Sequence, residues 1–335
     1  GESIFDFGPT KYLPYTSKER SILLSVLGKW PEDCGLKEAR DIIHTKHIGM
    51  FKNFMNSELF GFHGQTLAHD PSGKGTHQLG NGQALAEALG SPVVWDFRSA
   101  DVALGGQGAP LAPFFHFACA KWIGAVKPLA ILNLGGIGNL TWIDPRKNTP
   151  ESSGALLAFD TGPSNVLIND FMQKRFGTEM DRDGTLAKSG RVEWAALEVF
   201  LKDSYFLKAP PKSLDRDAFK VMLDLVGNLK EENAVATLTA MSAVSVIRGL
   251  EFCFEPPERI LVTGGGRRNL VLMNMIATAA ECQVCTVEDV GLDGDMLEAQ
   301  AFAYLALRVA RGLPTSCKST TGVPTETVGG IVSFS

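Results

Sequence analysis

Residues 129–143 read LAILNLGGIGNLTWI, and this stretch decides which class of fold the chain can adopt. Its two apolar runs, 129–134 and 140–143, flank a glycine-rich turn, which predicts a β-hairpin. In such a turn backbone N–H groups can approach an anion, because glycine has no Cβ in the way. A second buried run, 259–262, ends in the same manner at TGGG, residues 263–266, before a helix. Strands that alternate with helices and end in glycine turns indicate an α/β protein with ligand sites at the strand ends.

Helical and strand patterns alternate through the rest of the chain. The predicted helices span residues 36–55, 83–89, 166–176, 233–252 and 298–311. The further predicted strands span residues 59–62, 92–95, 156–159 and 282–287. Asn269 is the expected N-cap of the helix after the second glycine turn, since its side chain can accept from the first backbone N–H groups.

Composition sets broad limits on the function. At 335 residues, 44% hydrophobic and 21% charged, the chain has the make-up of a soluble globular protein with room for two domains. Its net charge of −5, without a basic block, argues against a nucleic-acid groove or an anionic membrane surface as partner. No apolar run approaches the ~20 residues that cross a bilayer, and GESIFDFGPT does not have the pattern of a signal peptide. Six scattered cysteines predict ordinary free thiols and a reducing, cytoplasmic location.

Asp160 ends the apolar run in LLAFDTGPSN, residues 156–165, and two roles are open to it. A carboxylate between a strand and a helix commonly caps the helix by accepting from its unpaired backbone N–H groups. In α/β proteins the same place, the carboxyl end of a strand, also holds catalytic groups. The residues around Asp160 do not decide between the two roles.

A polar loop from Trp95 to Pro113 predicts a site for a polyol or a sugar. Its polar and charged members include Asp96, Arg98, Asp101 and, within the turn GGQG, Gln107. A charged surface loop would contain the same residues, but fixed polar groups beside a glycine turn suit a ligand with many hydroxyl groups. His63 and Gln65 are candidates for the same ligand, although a single histidine is more often structural.

Other polar groups are less specific. Lys212 and Arg216, in PPKSLDRDAF, are suited to a phosphate, yet a loop that enters a helix would contain the same residues. His44 and His47 have a metal-compatible spacing without a carboxylate or cysteine partner, and residues 181–184 lack the later ligands of a calcium loop. We therefore assign no metal ligand.

Eight motifs occur in order and together closely resemble the anhydro-N-acetylmuramic acid kinase family. They are HGQT (63–66), DFRSAD with GGQGAPLAP (96–113), NLGGIGNLT (133–141), FDTGPSN (159–165), DRDG (181–184), PPKSLDR (210–216), TGGGRRN (263–269) and EAQAFAYLALR (298–308). That family belongs to the superfamily of actin-like proteins, sugar kinases and Hsp70 ATPases. The resemblance runs from about His63 to Arg308, and levoglucosan kinase is similar in the same segments.

The resemblance implies an α/β, actin-like (ribonuclease H-like) ATPase fold with two lobes and an ATP site in the interlobe cleft. Residues 1–127 with 312–335 would form an N-terminal sugar-binding lobe, and residues 128–311 a C-terminal lobe that binds ATP with Mg²⁺. The implied sugar contacts are His63, Gln65, Asp96, Arg98, Gln107 and Glu298. The implied nucleotide contacts are Gly135, Gly136, Asn139, Gly162, Gly264, Gly265, Gly266 and Asn269. A homodimer is implied as well.

The resemblance also implies that Asp160 is the catalytic base. Members of the family use the aspartate of the D-T-G-P motif to deprotonate water, which attacks the anomeric carbon of a 1,6-anhydro sugar. The bridging oxygen leaves that carbon and takes the γ-phosphoryl group of ATP, which gives N-acetylmuramic acid 6-phosphate for peptidoglycan recycling. General-base help of this kind is typically worth ~10²–10⁴-fold in rate.

One part of the family pattern does not occur in this sequence. The family opens with a strand and a Gly-Thr-Ser-x-Asp-Gly turn, the first phosphate loop, and nothing like them precedes Gly1-Glu2-Ser3. We expect an N-terminal truncation, because every later motif is kept. The alternatives are a kinase for another anhydrosugar such as levoglucosan, a catalytically inactive sugar-binding relative and, more distantly, a dehydrogenase.

Overall fold

The computed structural model describes residues 3–335, which form two compact units. The first unit contains the residues up to Trp122 together with Glu298–Ser335, and the second contains Ile123–Leu297. Each unit has a sheet with helices packed on it, so the predicted α/β, two-lobe class of fold is confirmed.

The first unit has a small mixed sheet and a separate hairpin. Its strands are β1 (Phe60–Phe62), β2 (Gln65–Asp70), β3 (Gly75–Leu79), β4 (Val93–Trp95) and β10 (Ile331–Ser333). β1 runs parallel to β4, the C-terminal β10 pairs antiparallel with β4, and β2 pairs antiparallel with β3. Its helices are α1 (Ser17–Ser25), α2 (Lys37–Phe51), α3 (Gly82–Leu89), α4 (Ser99–Ala103), α5 (Pro113–Trp122) and α12 (Leu297–Ala310).

The parallel pair in the first unit positions the predicted sugar contacts. β1 ends just before His63 and β4 just before Asp96, and parallel neighbours end at the same edge of a sheet. In the chain, α3 lies between these two strands, and it begins and ends within one residue of the helix predicted at 83–89. Asn81 caps it by accepting from the N–H of Ala84 at 3.0 Å, and Gly90 ends it in the left-handed conformation.

The last helix belongs to the first unit, whereas the predicted division placed residues 298–311 with the second lobe. Phe302 of α12 accounts for the difference. Its ring lies 5.2 Å from that of Phe97, and its carbonyl oxygen would lie 2.4 Å from a Cβ at Gly61 on β1. The helix therefore packs directly on the sheet of the first unit, a long-range contact that its own sequence does not reveal.

The second unit is built on a larger sheet. Its strands are β5 (Leu129–Leu134), β6 (Ile137–Ile143), β7 (Leu156–Pro163), β8 (Arg259–Thr263) and β9 (Gln283–Thr286), in the order β7-β6-β5-β8-β9. β5, β6 and β7 form an antiparallel meander, while β8 and β9 run parallel to β5. A meander followed by parallel crossovers is the ribonuclease H-like arrangement, and the predicted hairpin at 129–143 is confirmed as β5 and β6.

The helices of the second unit cover its sheet and form its cores. They are α6 (Asn165–Phe176), α7 (Thr185–Ser189), α8 (Trp194–Leu201), α9 (Met222–Val226), α10 (Glu231–Leu250) and α11 (Leu270–Ala279). Short 3₁₀ turns in the two units span Lys52–Phe54, Arg182–Gly184, Ser204–Leu207, Gly265–Arg268 and Val287–Val290. Buried residues of α10 join a cluster against the sheet and a second one with α6 and α8, so this helix lies at the centre of the unit.

Helix α10 is also long and apolar enough to cross a membrane by length and composition alone. The apolar runs in the sequence do not predict such a segment. Most of the helix is buried inside the second unit, as expected of a core helix.

Candidate active site

Asp160 lies within β7 and not at the start of α6. The first backbone N–H groups of α6, residues 164–166, donate to the carbonyl oxygens of Gly135 and Gly136 in the hairpin turn. The N-cap residue, Ser164, makes no side-chain cap bond. Because the turn supplies the acceptors that α6 needs, the structure excludes the capping role for Asp160.

A segment distant in sequence holds Asp160 instead. The N–H of Asp160 donates to the carbonyl of Lys212 at 3.0 Å, and its carbonyl accepts from the hydroxyl of Tyr205 at 2.5 Å. Its carboxylate oxygen Oδ2 accepts from the N–H of Leu214 at 2.8 Å. We call residues 205–214 the strap, since they fix both the backbone and the side chain of Asp160.

The environment of Asp160 changes its acidity. Burial raises the pKa of its carboxyl group to about 6, and the hydrogen bond from Leu214 opposes this rise only in part. A carboxyl group with this pKa is still mostly ionised at neutral pH, yet it takes up a proton more readily than an ordinary aspartate. Such tuning is what a general base near neutral pH requires.

Asn139 on β6 is the strand neighbour of Asp160. Residues directly opposite each other in an antiparallel pair point to the same face, so the two side chains share one side of the sheet. The pairing register shifts between Gly138 and Asn139, and bulges of this kind re-aim side chains beside active sites. The predicted base and a predicted nucleotide contact are therefore adjacent.

The hairpin turn presents a backbone donor beside this pair. The carbonyl of Gly135 accepts from the side-chain amide of Asn165 at 2.7 Å as well as from the helix, so it points into the unit. A trans peptide is planar with its N–H opposite its C=O, so the N–H of Gly136 points the other way. Gly136 is exposed, which leaves room for an anionic ligand there.

The second glycine turn packs against the end of β5 and opens to solvent at one position. Gly264 has a φ of +78°, and a Cβ there would lie 2.2 Å from Oδ1 of Asn133. A Cβ on Gly266 would lie 2.6 Å from the Cβ of Leu134. Gly265 is exposed, and a Cβ there would meet no atom within 4 Å. A ligand can therefore approach the backbone closely at Gly265.

The predicted cap after this turn is confirmed. Oδ1 of Asn269 accepts from the N–H groups of Val271 at 3.1 Å and Leu272 at 3.0 Å. The buried Arg267 donates from Nη1 to the carbonyl of Gly264 at 2.9 Å, and this hydrogen bond fixes the turn from its buried side. Both glycine turns are thus rigid features of the second unit.

A cavity of about 780 Å³ opens in the second unit beside the first turn of α11. Its walls are mainly apolar and include Lys188, Trp194, Val244, Leu270, Asn274 and Met275. An apolar cavity with a few polar groups is the usual environment of a small-molecule ligand.

Gly162 has a structural explanation of its own. It is buried in β7, and a Cβ there would lie 2.5 Å from Oγ of Ser245 on α10. The close packing of α10 on β7 leaves no room for a side chain at position 162, so a ligand is not needed to explain the glycine. Its contact with a nucleotide stays a prediction.

In the first unit, Arg98 is fixed by its neighbours. Its Nε donates to Nε2 of His63 at 2.9 Å, and its Nη1 donates to the carbonyl of Gly108 at 2.6 Å. Because Nε2 of His63 accepts, its Nδ1 carries the proton and donates to the carbonyl of Gly64 at 2.9 Å. Burial and the charge of Arg98 lower the pKa of His63 to about 3, so this histidine is neutral. Its role in the structure is to orient Arg98.

Glu298 is the acidic counterpart of Arg98. Its charge raises the pKa of Arg98 against the larger, lowering effect of burial. Within residues 3–335 the two side chains form no direct ion pair, and Glu298 is exposed in the first turn of α12. Arg98 has five N–H donors and its two bonds use only part of them, so both residues can still bind a ligand.

The remaining predicted sugar contacts lie in the same unit. Asp96 has a φ of 54°, accepts from the hydroxyl of Ser99 and borders a polar cavity of about 380 Å³. The amide of Gln65 makes only a long bond, 3.4 Å, to the carbonyl of Thr66. The backbone N–H of Gln107 donates to the carbonyl of Thr321 at 2.7 Å, which fixes its loop. Sugar binding by these residues stays a prediction.

The described residues fit Mg²⁺ only together with a nucleotide. In residues 3–335 no group of three or more His, Cys, Asp or Glu side chains is arranged to hold a metal ion. Mg²⁺ usually keeps several waters and is held by one or two carboxylates together with nucleotide phosphates. The exposed backbone of Gly136, which is suited to a phosphate group, is compatible with an ion that the nucleotide brings with it.

Sequence reasoning missed Tyr205 and gave Lys212 a different role, that of a residue suited to a phosphate. Tyr205 gives no local signal, because its partner Asp160 is 45 positions away. Lys212 stands out only through the motif PPKSLDR, and its role as a loop anchor depends on rings that lie elsewhere in the chain. Arg216 forms an ion pair with Asp170, with 2.5 Å between Nη2 and Oδ1, and so does not anchor the strap.

Comparison with known proteins identifies the family. The family model described as Anhydro-N-acetylmuramic acid kinase matches residues 50–334. A protein of that name from Ruegeria sp. is 57% identical over 99% of this chain and 88% of its own length, and one from Cereibacter sphaeroides is 57% identical over 99% and 90%. A solved structure, the activator of the 2-hydroxyisocaproyl-CoA dehydratase from Clostridium difficile with bound ADPNP, is 15% identical, with a TM-score of 0.39 over 60% of this chain and 67% of that chain. On the family model and these relatives, the chain belongs to the anhydro-N-acetylmuramic acid kinase family.

Proposed function

We propose that the chain is an ATP-dependent kinase that opens 1,6-anhydro-N-acetylmuramic acid and phosphorylates its 6-oxygen. The product is N-acetylmuramic acid 6-phosphate, an intermediate of peptidoglycan recycling. The observation that carries the proposal is Asp160, a half-buried carboxylate with a pKa of about 6 that lies within β7 beside the glycine hairpin. Membership of the family supports the sugar substrate and the phosphoryl donor.

In the proposed reaction the carboxylate of Asp160 takes a proton from a water molecule. The water oxygen bonds to the anomeric carbon, and the bond from that carbon to the bridging oxygen breaks. The bridging oxygen bonds to the γ-phosphorus as ADP leaves, so the poor leaving group is captured by phosphorus. Asp160 then gives its proton to solvent, and the strap keeps its carboxylate in one orientation throughout.

The second unit supplies the proposed nucleotide site. The contacts would be Gly135, Gly136, Asn139, Gly162, Gly264, Gly265, Gly266 and Asn269. The exposed backbone of Gly136 and Gly265 would approach the phosphates and the ribose, and the apolar cavity beside α11 would take the adenine ring. Phosphoryl transfer depends mostly on positioning and charge neutralisation, and bound Mg²⁺ would neutralise the phosphate charge.

The first unit supplies the proposed sugar contacts. Arg98 would donate to sugar oxygens with the N–H groups that His63 and Gly108 do not use, and Glu298 would accept from a hydroxyl group. His63 would act through Arg98, since its ring nitrogens are both occupied. Asp96, Gln65 and Gln107 would complete the contacts.

We further propose that the enzyme is a cytoplasmic homodimer that binds neither nucleic acid nor a membrane. The net charge of −5 supports the part on nucleic acid and membranes, and the free state of all six cysteines suits a reducing compartment. The homodimer rests on the family resemblance. Light scattering coupled to size-exclusion chromatography measures the oligomeric state, and a molar mass of one chain would exclude the dimer.

The test of the function is ADP release with Mg-ATP and either 1,6-anhydro-N-acetylmuramic acid or levoglucosan. We would run this chain beside one extended upstream by the family's first phosphate loop. Release on the muramic sugar alone supports the proposal. Release on levoglucosan alone favours the other kinase, and sugar binding without release in either chain favours an inactive relative.

A further inference from the structure

We propose that Lys212 is a positioning residue for Asp160, because its ammonium group anchors the strap that holds the catalytic carboxylate. This inference rests on the proposed function, which makes Asp160 the base. It goes beyond that function by giving a role to a residue that itself has no contact with the reacting atoms.

The strap takes the place of a neighbouring strand at Asp160. β7 is an edge strand of its sheet, so its outer N–H and C=O groups need partners from outside the sheet. At Asp160 the carbonyl of Lys212 and the hydroxyl of Tyr205 provide them, at 3.0 and 2.5 Å. Two residues beyond Lys212, the N–H of Leu214 reaches Oδ2 of Asp160. The orientation of the carboxylate therefore depends on where the strap lies.

The side chain of Lys212 fixes that place. Its Nζ donates to the carbonyl of Tyr205 at 3.2 Å, which closes the strap on itself. The same nitrogen lies 4.3 Å from the ring centroid of Phe252, 4.6 Å from that of Tyr205 and 5.8 Å from that of Phe159. A partly buried ammonium group over several aromatic faces is held by cation–π attraction as well as by its hydrogen bond. Phe159 precedes Asp160 on β7, so the anchor joins the strap to the strand at the residue next to the base.

The charges around Lys212 make this anchor sensitive to pH. Burial, together with the facing charges of Lys208 and Arg248, lowers the pKa of Lys212 to about 8. Tyr205, which packs under the ammonium group, has its own pKa raised by burial and by the charge of Asp160. The ammonium form is needed for both the hydrogen bond and the ring contacts. The anchor is therefore present at neutral pH and weakens as the pH rises through about 8.

The test compares Lys212→Met, Lys212→Arg and, as the matched control, Lys208→Met in the full chain. Lys208 is an exposed lysine of the strap whose ammonium group also faces the ring of Tyr205, at 6.0 Å, but its side chain makes no hydrogen bond to the strap backbone. We expect K212M to lower kcat on the order of 10- to 100-fold, the effect of a displaced catalytic group, while KM for ATP stays within about twofold. K212R should restore most of the loss, and K208M should match the unsubstituted enzyme.

A second readout does not depend on activity. The titration of the Asp160 carboxyl carbon, followed by NMR, should move to higher pH in K212M, because the bond from Leu214 lowers the pKa of that group. Unchanged kcat and an unchanged titration in K212M would overturn the proposal. If the unsubstituted enzyme shows no kinase turnover, the proposed function fails, and the titration alone decides the role of Lys212. If K212M does not melt cooperatively, Lys212→Gln takes its place in both measurements.

Discussion

At the scale of single residues, the role of Asp160 depends on contacts that its neighbours in sequence do not reveal. The sequence leaves capping and catalysis equally open, since both place a carboxylate between a strand and a helix. The structure removes the capping role, because the acceptors for α6 come from the hairpin turn about 30 positions earlier and the partners of Asp160 come from the strap about 50 positions later. Only long-range hydrogen bonding could decide the question.

Asp160→Asn should lower activity and raise stability. The folded state raises the pKa of Asp160 from 3.8 to about 6, so folding favours the protonated form. Ionisation of Asp160 therefore lowers the free energy of unfolding very little below pH 4. The full loss, up to about 3 kcal/mol, is reached above pH 6. Asparagine removes that charge and cannot take the proton from water. We expect kcat to fall on the order of 10²–10⁴-fold with ATP binding nearly intact.

Urea denaturation of both proteins at pH 7.5 and pH 4.5 checks the stability half of this prediction. The D160N protein should be more stable than the unsubstituted enzyme at the higher pH, and the difference in stability should shrink at the lower pH. Near-normal turnover, or a loss of stability at pH 7.5, would show that Asp160 is a structural residue.

At the scale of elements, regular periodicity predicted the sheet and the long helices, while irregular segments went unrecognised. Apolar runs bounded by glycine or polar residues predict the hairpin, β8, α10 and the cap at Asn269. The patterns do not predict β2 and β3, because residues 65–79 are polar and their pairing contains a register shift. β7 continues beyond Phe159 to Pro163, since pairing with β6 outweighs the charge and the glycine in its sequence.

The second glycine turn gives a matched pair of variants. Gly265→Ala should leave the free energy of unfolding within about 0.5 kcal/mol, because the new methyl group meets no atom within 4 Å. It should raise KM for ATP roughly tenfold, since it occupies the space where we place the nucleotide. Gly264→Ala should instead destabilise the fold by about 2 kcal/mol, because of its φ of +78° and its contact with Asn133.

Denaturation curves and ATP titrations of the two variants separate these effects. An unaltered KM in stable G265A would remove this turn from the nucleotide site. Equal stabilities of the two variants would contradict the account of Gly264.

At the scale of the whole molecule, the C-terminal tail completes the first unit. Asp101 is fully buried and accepts from the hydroxyl groups of Ser316 and Thr321, at 2.5 and 2.6 Å, and from the N–H of Gly108 at 2.7 Å. One carboxylate thus joins the loop that fixes Arg98 to residues more than 200 positions later. The expectation that residues 312–335 belong to the first lobe rests on the family resemblance alone, because nothing local in the tail indicates its partner.

Asp101→Ala should destabilise the protein by on the order of 3–5 kcal/mol, since it leaves several buried donors without an acceptor. Asp101→Asn keeps the shape of the side chain and one acceptor oxygen, so it should destabilise the protein clearly less than Asp101→Ala. Urea denaturation measures both, and limited proteolysis should show earlier cleavage of the tail in D101A. A loss below about 1 kcal/mol in D101A would mean that the tail is held by its other contacts.

The most direct test of the whole account is one turnover in ¹⁸O-labelled water with Mg-ATP and 1,6-anhydro-N-acetylmuramic acid. Mass spectrometry of the product, taken before the anomeric hydroxyl exchanges, locates the label. We predict N-acetylmuramic acid 6-phosphate with one heavy oxygen on the anomeric carbon and none in the phosphate group. Heavy oxygen in the phosphate, or a phosphorylated sugar whose anhydro ring is still closed, would contradict the role of Asp160 as the base that activates water.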